Sequence, residues 1–187
     1  MDAAVASGPF RVGPYPSTLI DSVVLADGRK VVIRPVLPQD AAAEQLFVGG
    51  LSLASRQLRF HIAIRELAPD LLRSMTEIDY RTHVAVVAEW ADDGDEPMIV
   101  ADARYVMQGD SSEAEFAIAV ADAWQGVGLG RYLMATLMQY ARRHGVTRLF
   151  GDVLHGNKRM ITMVREAGGR FVKHPGDATL MRAQFAL

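Results

Sequence analysis

The sequence predicts an α/β domain whose first strands run antiparallel, and three observations carry that expectation. Apolar, β-rich runs follow one another at residues 82–90, 98–107 and 113–121, separated only by short polar turns. Connections that short join antiparallel neighbours in a meander. After them the order changes character: helix 126–144, strand 148–154, helix 158–167, then strands near 171–173 and 178–185. Between the two halves lies a glycine-rich turn, Gln125-Gly126-Val127-Gly128-Leu129-Gly130-Arg131, leading from a strand into a long amphipathic helix.

The elements before the meander have their own signals. Residues 23–25 and 31–34 are short β-branched runs flanking Asp27-Gly28, a dipeptide that favours a tight hairpin. Pro38 opens a helix that should stop at Gly49-Gly50, a second helical stretch covers residues 54–62, and a third follows Pro69. Helix 126–144 repeats Leu129, Leu133, Leu137 and Ala141 every four residues, with Met134 and Met138 beside them. Arg142, Arg143 and His144 complement its C-terminal dipole, and Gly145 supplies a left-handed cap.

The chain has 187 residues, enough for one domain with a full core, expected at 21–187. Residues 1–20 are rich in Ala, Gly, Pro and Ser and read as a flexible arm, or as one that docks on the domain or a neighbour. A formal net charge of −2 gives no global reason to expect nucleic acid or an anionic membrane as partner. The absence of cysteine excludes a disulfide scaffold, cysteine zinc ligands and any acyl carrier thiol. No histidine spacing suggests a metal site. No apolar run approaches the ~20 residues of a membrane span, and the first ten residues do not resemble a signal peptide. The expectation is a cytoplasmic protein, monomer or dimer.

A glycine-rich turn ahead of a helix leaves backbone N–H groups unpaired and aims the helix dipole at whatever lies in front, which suits a phosphate or pyrophosphate. The dinucleotide fingerprint G-x-G-x-x-G fails, because Arg131 or Leu133 occupies the third glycine position. Asp152, on the next strand, would suit that reading, but the antiparallel meander before the loop does not. The triphosphate loop, which needs G-K followed by Ser or Thr, is absent. On strand 113–121, Phe116, Ile118 and Val120 share the face expected in the core, while Glu115, Ala117 and Ala119 share the other. Two alanines beside a glutamate leave room for a thin ligand along the sheet. A glutamate in such a partly dry cleft would have its pKa raised, unless it pairs with a base such as Arg104.

Q-G-V-G-L-G fits the acetyl-CoA signature of the GNAT superfamily of N-acetyltransferases. Together with D-G-R-K-V-V-I-R-P, L-P-Q-D, L-S-L-A-S-R-Q-L-R-F, A-E-F-A-I-A-V-A-D-A-W and V-L-H-G-N-K-R-M, it resembles the acetyltransferase domain of the bacterial Pat-type protein-lysine acetyltransferases over roughly residues 22–170. The resemblance implies a mixed, mostly antiparallel sheet, splayed where acetyl-CoA enters and flanked by helices. It implies that the backbone of Ile118, Ala119 and Val120 meets the pantetheine arm. It also implies that Gln125, Gly126, Val127, Gly128, Leu129, Gly130 and Arg131 hold the pyrophosphate, that Asn157 lies near the pantetheine arm, and that Glu115 is the general base. The implied activity is direct acetyl transfer from acetyl-CoA to an amine, a protein lysine first, with a small-molecule amine or a non-catalytic acyl-CoA-binding role as alternatives. Glu113 and His155 are lesser candidates for proton transfer, each also readable as a solvated loop residue. Ser55, Arg56 and Arg59 either border the acceptor site or tie two helices together. One departure stands out: where many family members carry a tyrosine acid, this chain has Val164.

Overall fold

The computed structural model describes residues 14–62, 64–92 and 94–187. A hairpin of β1 (Asp21–Val24) and β2 (Lys30–Pro35) comes first. Three helices follow: α1 (Ala41–Gly50), preceded by a 3-10 turn at Pro38–Asp40, α2 (Leu53–Phe60) and α3 (Pro69–Thr76). The meander is β3 (His83–Trp90), β4 (Met98–Met107) and β5 (Glu113–Val120). After it come α4 (Leu129–Arg143), β6 (Arg148–Leu154), α5 (Lys158–Glu166), β7 (Arg170–Lys173) and β8 (Leu180–Ala186).

All eight strands form one sheet in the order β1-β2-β3-β4-β5-β6-β8-β7. Every neighbouring pair is antiparallel except β5 and β6, which α4 joins as a parallel crossover. The expected α/β domain with a mixed, mostly antiparallel sheet is thus the one observed. Among the described residues no helix is long and apolar enough to cross a membrane.

Strand register divides the side chains between two faces. One carries Val84, Val86, Ala103, Tyr105, Phe116, Ile118, Leu149 and Phe185, and packs against α4 and against Val164 of α5. The other carries Ala85, Val87 and Ala119 and packs against α1 and α3 through Phe47, Val48 and Met75. Over β6–β8 this second face carries Phe150, Asp152, Arg182 and Gln184, and His61, at the C-terminal end of α2, lies beside Asp152.

Three expectations need correction. The long helix begins at Leu129, not residue 126, because Gly126 and Gly128 adopt φ of 83° and 94°, which a helix cannot include. The helix opened by Pro38 begins as a 3-10 turn and turns α-helical at Ala41. Residues 178 and 179 precede β8 as a turn, with Asp177 accepting from the N–H and hydroxyl of Thr179. Of the arm expected at 1–20, residues 1–13 lie outside the described residues. The remainder packs on the domain: Tyr15 meets Tyr80 edge-on at 6.1 Å, and Leu19 is buried.

Candidate active site

The sheet opens between β5 and β6. Their pairing covers only Glu113–Glu115 against Arg148–Phe150, while β5 stays paired with β4 as far as Val120. Past Glu115 the two strands diverge and leave one edge of Phe116–Val120 without a strand partner. Gly151 marks the last close approach. A Cβ there would lie 2.9 Å from the Phe116 ring and carbonyl oxygen, so only glycine lets the strands touch before they part.

The glycine loop sits at the wide end of this fork. Among the described residues, no protein acceptor takes the backbone N–H groups from Gly126 to Arg131, and the first intrahelical bond runs from Tyr132 N–H to the Gly128 carbonyl at 3.1 Å. At Gly126 and Gly128 an added Cβ meets nothing within 4 Å, so the loop turns an open surface of donors outward. Gly130 differs: its Cβ would make an ordinary contact with Met163 Sδ at 3.4 Å, so it sits against α5 and not on the open surface. The loop is anchored from behind, where Val127 accepts from the Ala26 N–H at 3.2 Å. Gln125 donates its amide to the Val120 carbonyl at 2.9 Å and to Ser55 Oγ at 3.2 Å, and its own oxygen accepts from Arg159. Asn157 caps α5, its Oδ1 accepting from the Met160 N–H at 3.1 Å.

Glu115 occupies the narrow end of the fork, the last residue of β5 still in register with β6. It shares a face with Ala117 and Ala119, as the alternation predicts. It keeps an opening to solvent, and among the described residues it has no hydrogen-bond or ion-pair partner. Desolvation by the surrounding floor raises its pKa, the Asp152 carboxylate raises it further, and Arg182 and Arg59 oppose. Arg104 is not its partner. That guanidinium is held by Asp102, by the Met75 carbonyl at 3.0 Å and by Glu44 at 3.4 Å, all buried.

The other candidates separate by geometry. Glu113 is engaged by Arg148 at 2.8 Å. His155 lies in an exposed turn whose N–H donates to the Thr179 carbonyl at 3.3 Å. Ser55 and Arg56 tie helices and loops together: Ser55 donates to Asp122 at 2.8 Å and Arg56 to the Gly49 carbonyl at 3.0 Å. Arg59 faces both Asp102, at 3.8 Å, and the field of Glu115. Val164 is fully buried between Gly169 and Phe185 and faces the core, not the fork. A hollow of about 510 Å³ between α4 and α5, lined by Arg131, Met138, Arg142 and Met163, lies on the opposite side of the sheet from Glu115.

Sequence reasoning missed a cluster on the β6–β8 part of the second face. Asp152 accepts two bonds from Arg182, at 2.8 and 2.9 Å, and one from His174 Nε2 at 3.1 Å. The only sequence signal was the alternation that puts Asp152 and Phe150 on one face, which says nothing of partners more than twenty residues away.

A family model described as the acetyltransferase (GNAT) family matches residues 53–168, most of the chain. The chain belongs to the GNAT acetyltransferase family. It is 35% identical to an acetyltransferase of Pseudomonas aeruginosa over 87% of both proteins. It is 33% identical to the acetyltransferase Pat of Mycolicibacterium smegmatis, over 81% of this chain and 44% of that protein. Among solved structures, the GNAT domain of S. lividans PAT superposes with a TM-score of 0.83 at 28% identity, covering 93% of this chain and all of that one. The protein is thus an acetyltransferase with Pat-like relatives, and acetyl-CoA is the co-substrate of its family.

Proposed function

We propose that this protein acetylates lysine side chains of proteins in the cytoplasm by direct transfer from acetyl-CoA, with Glu115 as general base. The observation that carries the reading is an unpaired, partly desolvated carboxylate at the narrow end of a fork whose wide end presents free backbone N–H groups. The pyrophosphate would take those donors from Gly126 to Arg131, the pantetheine arm would lie along Ile118–Val120 near Asn157, and the thioester would then reach Glu115.

A lysine amine has a reference pKa of about 10.4 and arrives protonated. Glu115, directly or through one water, accepts that proton, and its raised pKa makes it a stronger base for the purpose. The freed nitrogen attacks the thioester carbonyl, an outward N–H of β5 near Ile118 steadies the oxyanion, and the C–S bond breaks while the surplus proton on nitrogen passes, directly or through water, to the departing sulfur, giving the amide and CoA thiol. No cysteine exists to hold the acetyl group between half-reactions, so both substrates must be bound together.

The test is turnover of acetyl-CoA with a lysine peptide, a protein extract and a polyamine panel, read by mass spectrometry, for wild type and Glu115→Gln. Lysine-modified protein is expected, with a loss of about 10²–10⁴ in rate for the variant and unchanged CoA affinity. Preference for a polyamine would assign a small-molecule acceptor. Wild-type rates for Glu115→Gln across pH 6–9 would remove Glu115 from the mechanism.

A further inference from the structure

Three arginines border the glycine loop, and two of them are paired with carboxylates. Arg131 pairs with Glu166, and Arg29 of the β1–β2 turn pairs with Asp27. Arg159 is different. Its partner is the side-chain oxygen of Gln125, a neutral amide, and among the described residues no carboxylate pairs with it. Its place follows from the spacing of α5. Met163, one turn on, lies against Gly130, so residues 159 and 163 share the face of α5 turned towards the loop. Arg159 stands one turn nearer the wide end of the fork, and it is exposed there. An uncompensated guanidinium therefore borders a loop that already offers free backbone N–H groups and the positive end of the α4 dipole.

The amide that holds Arg159 also occupies the fork. Ala121 donates its N–H to the Val100 carbonyl of β4 at 2.9 Å. By alternation Ala119 and Ala117 also turn their peptide groups to β4, and Val120 and Ile118 turn theirs into the fork. The Val120 carbonyl is thus the first β5 acceptor on the way from the loop to Glu115, and Gln125 Nε2 fills it at 2.9 Å. The same nitrogen donates to Ser55 Oγ on α2 at 3.2 Å. One side chain thereby joins β5, α2 and α5 across the wide end of the fork.

We propose that Arg159 binds the diphosphate of acetyl-CoA, and that Gln125 is a latch across the pantetheine route, released when the co-substrate arrives. This rests on the reading of the glycine loop as the phosphate cradle. A guanidinium favours a phosphate over an amide oxygen, because both partners are charged and two parallel N–H···O bonds can form. Once Arg159 turns to the phosphate, the Gln125 oxygen loses its partner. The Val120 carbonyl then passes from Gln125 to an amide N–H of the pantetheine arm, so one acceptor is exchanged and none is left buried and empty.

The experiment measures binding of CoA and 3′-dephospho-CoA by calorimetry, and turnover of acetyl-CoA and of acetyl-pantetheine, which has no phosphate, with a lysine peptide as acceptor. Arg159 is exposed, so Arg159→Ala and Arg159→Lys should keep the fold. Arg159→Ala should weaken CoA and dephospho-CoA alike by about ten- to a hundredfold, raise KM for acetyl-CoA to match, and leave KM for acetyl-pantetheine unchanged. Arg159→Lys should recover part of the loss, as a point charge without the paired donors. Gln125→Ala should lower KM for acetyl-pantetheine about two- to fivefold, because the Val120 carbonyl is open from the start. Gln125→Ser repeats that test if Gln125→Ala does not fold. Unchanged CoA affinity in Arg159→Ala overturns the diphosphate assignment, and so does a loss that disappears with dephospho-CoA, which would put Arg159 at the 3′-phosphate. An acetyl-pantetheine KM that stays or rises in the Gln125 variants overturns the latch. Gly128→Glu separates the two ideas: normal CoA binding there removes the cradle itself, whereas lost binding there beside an unaffected Arg159→Ala removes the role of Arg159 alone.

Discussion

α4 meets its face of the sheet through Leu129, Leu133, Met134, Leu137 and Ala141, none more than 1% exposed. α1 meets the opposite face through Phe47 and Val48 but also through Glu44, which is wholly buried beside Asp102 and Arg104. Each large apolar side chain of the first interface contributes roughly 1.5–3 kcal/mol by burial, without regard to pH. The ionic cluster of the second gains little over an apolar filling of equal volume, but losing one partner is costly. The glycine loop therefore grows from a hydrocarbon base, while the Glu115 side of the sheet stands on groups that titrate. Damage to the first should appear as lost binding at every pH, and damage to the second as altered pH dependence.

The largest expected effect breaks the loop. Gly128→Glu places a carboxylate on the surface of free N–H donors and forces a non-glycine residue to φ of 94°. CoA binding, followed by calorimetry, should fall by more than about a hundredfold, since an anion would replace the phosphate contacts. The backbone strain costs about 1–2 kcal/mol of stability. Gly128→Ala carries the strain without the charge and should retain most of the affinity. A folded Gly128→Glu that binds CoA normally would end the phosphate-loop reading.

The comparison sharpens when the two interfaces are cut in parallel. Leu137→Ala should cost about 2–5 kcal/mol, the same at pH 5 and pH 8. Arg104→Leu should cost about 3–5 kcal/mol, because Asp102 and Glu44 would remain buried with Arg59 alone to face them. Its cost should also vary with pH. Burial, and then Asp102, push the Glu44 pKa up, so stability falls as pH rises from the unfolded value near ~4.3. Burial, and then Arg104, push His83 down to about 3, so stability also falls as pH drops below ~6.5. The two effects oppose each other between ~4.3 and ~6.5, so wild-type denaturation curves should show a broad plateau there, falling towards pH 8 and again at lower pH, with the acid slope reduced in His83→Gln. A flat profile from pH 4 to 8 would mean the second face is as indifferent to pH as the first.

The same contrast explains what was legible in the sequence. Periodicity located β4 and β6 to the residue, and alternation placed Glu115, Ala117 and Ala119 on one face. Hydrophobic patterns report burial, and the first face is held by burial. The start of α4 is not legible because Gly126 and Gly128 carry no side chain to reveal a left-handed φ. The ionic contacts were invisible for another reason. Strand alternation offers Arg104 as a partner for Glu115, but on β4 it shares a face with Asp102 two residues away, which takes it first. Asp152, His174 and Arg182 meet only because β6 pairs with β8, and charge composition cannot specify that register.

The smallest expected effect concerns the leaving thiolate. Tyr80 donates its hydroxyl to the Val36 carbonyl and Tyr132 donates to Asp21. Tyr140 is buried and stacks on His144 at 4.0 Å, and the Tyr105 hydroxyl is buried in the core on the α4 face. None of these rings enters the fork on the Glu115 face, and residue 164, where a tyrosine would be sought, points into the core. A thiol with a reference pKa near ~8.5 leaves tolerably without a dedicated acid, and the free loop amides and the α4 dipole favour developing negative charge. No single Tyr→Phe change at these four positions should therefore slow turnover more than about tenfold, or ~1.4 kcal/mol of barrier. Val164→Tyr should add no activity and should destabilise by about 1–3 kcal/mol, because the pocket between Gly169 and Phe185 has no room for a ring. Rates measured on folded variants with intact CoA binding decide the matter: a several-hundredfold loss at one tyrosine would reveal an acid that reaches the thiolate only once both substrates are bound.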